Sequence, residues 1–206
     1  MAYNADMSTI PQQMADMTSL TVPVVPGAAR LEDYMALPEG TPVELIKGEL
    51  VVSPAPLRPH QVIVGLLFDL LLDVARATGG QAYVSPIDVV LAEDTVVQPD
   101  VIFVDKGRLG ILGDQVMGPP DLAVEVISPD HARRDRVHKA GLYAEHGVAE
   151  YWIVDPKEKV FEFFLLVDGK YQLQATVGDT YTSARLPAVK VNVAAIWNEF
   201  DRSFAQ

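Results

Sequence analysis

The chain has 206 residues, enough for one sizeable hydrophobic core, and its 49% apolar and 21% charged residues are ordinary globular usage and not the composition of a disordered chain. A net charge of −12 argues against a protein that grips duplex DNA over a broad surface, because phosphate affinity comes largely from lysine and arginine displacing counterions, so any nucleic-acid contact must be local. The absence of cysteine excludes disulfides, thiolate nucleophiles and cysteine-based zinc sites; no apolar run reaches the roughly 18 residues that span a bilayer, and with no secretory pattern at the N-terminus the cytoplasm is the expected location.

Residues 1–26 carry four methionines and three prolines without any period, which reads as a mobile leader or an exchanged arm, and 27–206 read as one domain. A short helix is expected around Leu31 to Leu37, ended by Pro38-Glu39-Gly40. The segment Val43 to Ser53 reads as two strands about a Lys47-Gly48 turn. From Pro59 to Thr78 the apolar positions Val62, Leu66, Phe68, Leu70 and Val74, with the neighbours between them, fit a long buried helix closed by Gly79-Gly80.

Short β-rich runs follow at Ala82 to Ser85, Ile87 to Leu91 and Val101 to Val104, with Glu93-Asp94 as a turn between the second and the third. Leu122 to Ile127 is apolar apart from one glutamate, the pattern of a central strand buried on both faces. Ser128-Pro129-Asp130 can cap a helix over His131 to His146 that stops at Gly147. Strands are expected at Glu150 to Val154, Lys159 to Val167 and Lys170 to Val177, the last two joined at Asp168-Gly169, and a final helix around Val193 to Phe200.

Carboxylates are rarely buried unless paired or bound to metal, so Glu125 inside LAVEVI stands out. Asp100 follows Pro99 at the head of the VIFV strand. Two carboxylates on neighbouring strands can hold one Mg2+ or Mn2+, since hard cations prefer oxygen ligands, and such an ion activates water and neutralises phosphodiester charge. The competing reading makes Asp100 a solvated strand end and Glu125 the partner of a buried arginine or lysine. The basic stretch Arg133, Arg134, Arg136, His138 and Lys139 is either a local phosphate patch or a solvated helix face. Tyr151-Trp152 and Phe161, Phe163 and Phe164 alternate as sheet-packing residues do.

The segments PVELIKGELVVSPAP, RPHQ, DVVLAEDTVVQPDVIFV, PPDLAVEVISPD and HKAGLYAEHGVAEYWIVDP, in that order, resemble the Uma-two family of restriction-endonuclease-like proteins over about Leu31 to Phe200. The resemblance implies an α/β fold with the PD-(D/E)XK nuclease core, a mixed central sheet flanked by helices, elaborated with additional N- and C-terminal β-hairpins. It maps Asp100 onto the PD element and Glu125 onto the second acid. The lysine normally two residues beyond that acid is replaced by Ile127, and the resemblance passes its role to Lys139 on the following helix. Asp135, Lys139 and Tyr143 share one helix face, which points either into the cleft or into solvent; on the second reading Asp135 and Lys139 are an ordinary surface ion pair. Glu44 matches an acidic residue that can assist from the hairpin, and His60 is either a proton shuttle or phosphate donor, or a residue that only decorates a helix N-terminus.

The function these readings imply is a Mg2+-dependent endonuclease, with Mn2+ as a substitute, that hydrolyses phosphodiester bonds of nucleic acid, DNA being expected. Asp100 and Glu125 hold the metal, Lys139 and Glu44 assist catalysis, His60 binds, and a homodimer is expected by analogy. The alternative is a catalytically silent nuclease-fold protein acting as a regulatory or protein-interaction module, suggested by the displaced lysine and the acidic surface. A β-rich small-molecule binder ranks below both.

Overall fold

The computed structural model describes residues 27–53, 55–127 and 132–205, with the backbone alone over 132–138. The expected leader and the Ser128-Pro129-Asp130 cap lie outside the described residues. A short helix α1 (Leu31–Met35) leads into strands β1 (Val43–Ile46) and β2 (Glu49–Val52), then the long helix α2 (Arg58–Thr78). Strands β3 (Gln81–Val84), β4 (Val89–Ala92), β5 (Thr95–Val97), β6 (Val101–Val104), β7 (Val116–Met117) and β8 (Leu122–Val126) precede helix α3 (Ala132–Glu145), with a 3-10 turn at Lys106–Ile111. The chain ends with β9 (Glu150–Asp155), β10 (Val160–Val167), β11 (Lys170–Gln174), β12 (Thr180–Thr182), β13 (Lys190–Asn192) and helix α4 (Val193–Arg202).

A six-stranded mixed sheet in the order β11-β10-β9-β8-β6-β3 forms the centre, with β8 and β9 parallel and the other neighbours antiparallel. Because side chains alternate along a strand, its two faces build two cores. Leu122, Val124 and Val126 of β8, with Trp152 and Val154 of β9, pack with Ile63, Leu67 and Leu71 of α2. Ala123 and Ile127 pack on the opposite side with Tyr151 and Ile153, against Leu142 and Tyr143 of α3 and Val89 and Val97 of the second sheet. Glu125 falls on that second face by the same alternation, which is why α3 supplies its partners.

The expectation for α2 holds in extent and closure: Gly79 is left-handed at φ +82 and its N–H returns to the Ala75 carbonyl at 2.8 Å. Its deepest stripe is different. Ile63, Leu67, Leu71 and Ala75 are the buried positions at i+4 spacing, whereas Val62, Leu66, Phe68, Leu70 and Val74 are half-buried flanks, because an almost wholly apolar helix does not reveal which row meets the sheet.

Two further differences concern the strands. Glu93-Asp94 turns the chain from β4 into β5, which pairs back on β4; β5 was not expected, and β6 belongs to the other sheet. The hairpin β1–β2 is likewise one edge of a five-stranded sheet, β2-β1-β5-β4-β7. The turns at Lys47-Gly48 (φ 50 and 80) and Asp168-Gly169 (φ 49 and 74) are as expected, with two successive left-handed residues whose twist suits a tight hairpin. Strand β11 ends at Gln174, short of Val177, and the pair β12–β13 is an additional small sheet. Among the described residues no helix is long and apolar enough to cross a membrane.

Candidate metal and catalytic site

Glu44, His60, Asp100, Glu125 and Lys139 come from four different elements and the loop before β6 and line one cavity of about 590 Å3. The strand register explains half of this: Val101 faces Val124 across β6 and β8, so the residues just before β6 and just after Val124 lie at the same sheet end. The Val126 N–H donates to Asp100 Oδ2 at 2.7 Å, tying the carboxylate to the backbone beside Glu125. His60, at the third position of α2, approaches the same oxygen with Nε2 at 3.1 Å. Its Nδ1 is buried with no hydrogen-bond partner among the described residues. An ionised carboxylate can only accept, so in this contact Nε2 carries the proton and His60 donates to Asp100. His60 thus props a carboxylate and does more than decorate a helix end.

Lys139 decides the orientation of α3. Its ammonium donates to Glu125 Oε1 at 2.8 Å and to Glu44 Oε1 at 3.1 Å, with the side chain only 13% exposed, so this face of the helix meets the cleft. Tyr143, one turn on, donates to the same Glu125 oxygen at 2.6 Å. The side chains of Arg133, Arg134, Asp135, Arg136 and His138 lie outside the described residues. Ile127, where the usual lysine would stand, is buried in the apolar layer with Leu142 and Tyr143.

Burial is the main influence on Glu125, and although Lys139 pulls the other way, burial with the nearby charges of Asp100 and Glu44 pushes its carboxyl up to about 7. For Lys139 burial alone would favour the neutral amine, but Glu125 and then Glu44 more than reverse that and hold it above its ordinary value. The cation therefore persists throughout the physiological range. Burial, and then the charges of Glu125 and Glu44, raise the Tyr143 hydroxyl well above its usual range, so it acts as a donor.

These contacts use Asp100 Oδ2 and Glu125 Oε1. No described hydrogen bond falls on Asp100 Oδ1 or Glu125 Oε2, and both side chains line the cavity. Two hard oxygens lining one cavity fit a Mg2+ or Mn2+ ion that keeps several waters. When Glu44, Asp100 and Glu125 are ionised against the one ammonium, two negative charges are left, which suits a divalent ion. Among the described residues no group of three or more histidines or carboxylates is placed to hold a metal.

Sequence reasoning passed over Gln98. Its backbone N–H donates to Glu44 Oε1 at 2.7 Å, while its side-chain amide donates to Asp88 Oδ1 at 2.9 Å and to the Tyr34 hydroxyl at 3.2 Å. Glu44 is thereby fixed from the β5 side, and the polar residue before Pro99-Asp100 was the available signal. Tyr151, Trp152 and Phe163 are buried in the sheet layers as expected, Trp152 edge-on to Phe163.

Residues 31–194 match the family model Uma2, described as "Putative restriction endonuclease". The fold is similar to that in the crystal structure of "a putative nuclease belonging to DUF820 from Anabaena variabilis", with a TM-score of 0.69, 18% identity, and coverage of 83% of this chain and 98% of that chain; at such identity the likeness speaks to the fold alone. No curated protein matches.

Proposed function

The chain belongs to the Uma2 family, and from that premise we propose that it is a metal-dependent endonuclease acting on phosphodiester bonds of nucleic acid, DNA foremost. The observation that carries the proposal is the convergence of Glu44, Asp100 and Glu125 around the Lys139 ammonium in an open cavity. Asp100 and Glu125 would hold Mg2+, or Mn2+ in its place, through the oxygens their protein contacts leave over. When bound, such an ion acidifies a water and offsets charge on the phosphoryl oxygens.

The protein's own groups do the rest. His60 and the Val126 amide set the orientation of Asp100. Lys139, held charged by two carboxylates, is positioned to orient a nucleophilic water or to stabilise negative charge that grows on the phosphorus oxygens. Glu44 keeps the ammonium over the cleft and, through Gln98, ties it to the β5 strand. In this arrangement the lysine comes from a helix and not from the metal-bearing strand. A two-fold homodimer carrying two such sites would suit cleavage of both strands of a duplex.

The silent-module reading draws on one observation, that the Lys139 charge is already engaged by two carboxylates. Incubation of single- and double-stranded DNA and RNA with the protein, in Mg2+, Mn2+ or excess chelator, separates the two. Cleavage that needs metal and disappears in Asp100→Ala supports the nuclease; no cleavage of any of the four substrates by a folded wild type contradicts it.

A further inference from the structure

We infer, on the metal-nuclease reading above, that Tyr143 is a positioning residue of the site: its hydroxyl fixes one oxygen of Glu125 so that the other is held ready for the cation. The hydroxyl donates to Glu125 Oε1 at 2.6 Å, and Lys139 donates to the same oxygen at 2.8 Å. Both donors come from one face of α3 at i and i+4, where side chains lie one above the other. Two donors on a single carboxylate oxygen restrict its rotamer, and here they act on a central strand whose neighbouring positions Ala123 and Ile127 on the same face are apolar core.

The two donors are not equivalent. Lys139 divides its ammonium between Glu125 and Glu44, so on its own it draws Glu125 towards β1. The Tyr143 hydroxyl has Glu125 as its described acceptor, and its ring is fully buried, tilted against Tyr151 with ring centres 4.9 Å apart. The phenol therefore cannot follow a swinging carboxylate. The plainer account is that a buried tyrosine needs an acceptor and Glu125 happens to supply one. Tyr171 provides the comparison, because it belongs to the same aromatic cluster, with ring centres 5.7 Å from Tyr151, and its hydroxyl donates at 2.8 Å to the Val148 carbonyl, away from every carboxylate of the site.

Calorimetric titration of Mn2+ into the full chain, as wild type, Tyr143→Phe and Tyr171→Phe, tests the inference, with thermal melts of the metal-free proteins alongside. Tyr143→Phe is expected to weaken Mn2+ binding on the order of tenfold or more, the usual effect of losing an outer-shell partner. Tyr171→Phe is expected to bind as the wild type does even if it melts equally early. With a cleavable substrate, kcat falls in Tyr143→Phe while KM stays. If low stability prevents titration of Tyr143→Phe, the Mn2+-induced rise in Tm provides the same ranking. Equal binding by wild type and Tyr143→Phe, or equal weakening in both variants, overturns the inference and leaves the nuclease reading intact; a wild type that binds no Mn2+ overturns both.

Discussion

Lys139 and Glu44 stand 95 residues apart in the chain and 3.1 Å apart in the fold, so a buried ion pair joins the first hairpin to the third helix across the cleft, beside the exposed pair of Lys47 with Glu145 at 2.7 Å. The same ammonium reaches Glu125 on the central strand. A charge so placed restrains three elements at once, and its removal should register in stability as well as in chemistry.

Lys139→Met leaves Glu44 and Glu125 buried without their cation. Breaking a buried pair from one side costs about 3 kcal/mol or more, and removing a preorganised electrostatic stabiliser lowers cleavage on the order of 100-fold or more. The stability loss should be smaller near pH 6 than near pH 9, because a protonated Glu125 no longer needs the ammonium. Urea unfolding of both proteins at the two pH values checks this; a loss independent of pH contradicts it.

The Glu125 carboxyl, pushed up to about 7 chiefly by burial, sets the sign of two pH effects. Its folded-state pKa lies above the unfolded one, so the folded protein holds the extra proton, and the stability this provides is full at acid pH and lost as pH rises through about 7. Metal binding needs the ionised form and runs the other way. Mn2+ affinity is expected to climb between about pH 5.5 and 7 and to level off near pH 8, with a proton released on binding below about 7. Titrations in buffers of different ionisation enthalpy read that proton, and an affinity flat across the range would argue against Glu125 as a ligand.

His60→Ala removes the donor on Asp100 Oδ2 but leaves the Val126 amide in place. Mn2+ affinity and cleavage should fall by about 10- to 100-fold, the range for outer-shell partners, with His60→Gln recovering part of the loss. Wild-type affinity in His60→Ala would return the residue to a purely structural role.

A prediction away from the site concerns Glu150, which is fully buried and accepts from Trp152 Nε1 at 2.7 Å, from the Tyr181 hydroxyl at 2.8 Å and from Ser183 Oγ. Glu150→Ala leaves three buried donors without this acceptor and is expected to cost about 3 kcal/mol or more. In denaturant titrations Tyr181→Phe should lose less. Mn2+ affinity of whatever folds should match the wild type, since Glu150 does not line the cavity.

Much of this is legible in the sequence, for reasons that differ by element. A glutamate inside LAVEVI demands a partner wherever the strand lies, and the 21-residue α2 with Gly79 behind it announces itself. Lys139 and Tyr143 were placed on one helix face by spacing alone, yet which way that face points depends on the side of the sheet α3 covers, a tertiary fact. Strand β5 is three residues long, too short to show a period. Its membership of a second sheet comes from the pairing of Val96 with Leu45, about fifty positions earlier. The His60–Asp100 contact depends on how α2 approaches the end of β6, and Glu150 sits at a strand's first position, where a polar residue usually means exposure.

The most direct test of the central claim is calorimetric titration of Mg2+ and Mn2+ into wild type, Asp100→Ala and Glu125→Ala, with thermal melts to establish that all three are folded. The account predicts that the wild type binds and that neither folded variant does. Failure of the folded wild type to bind either ion at millimolar concentration, or undiminished binding by Asp100→Ala and Glu125→Ala, would contradict it.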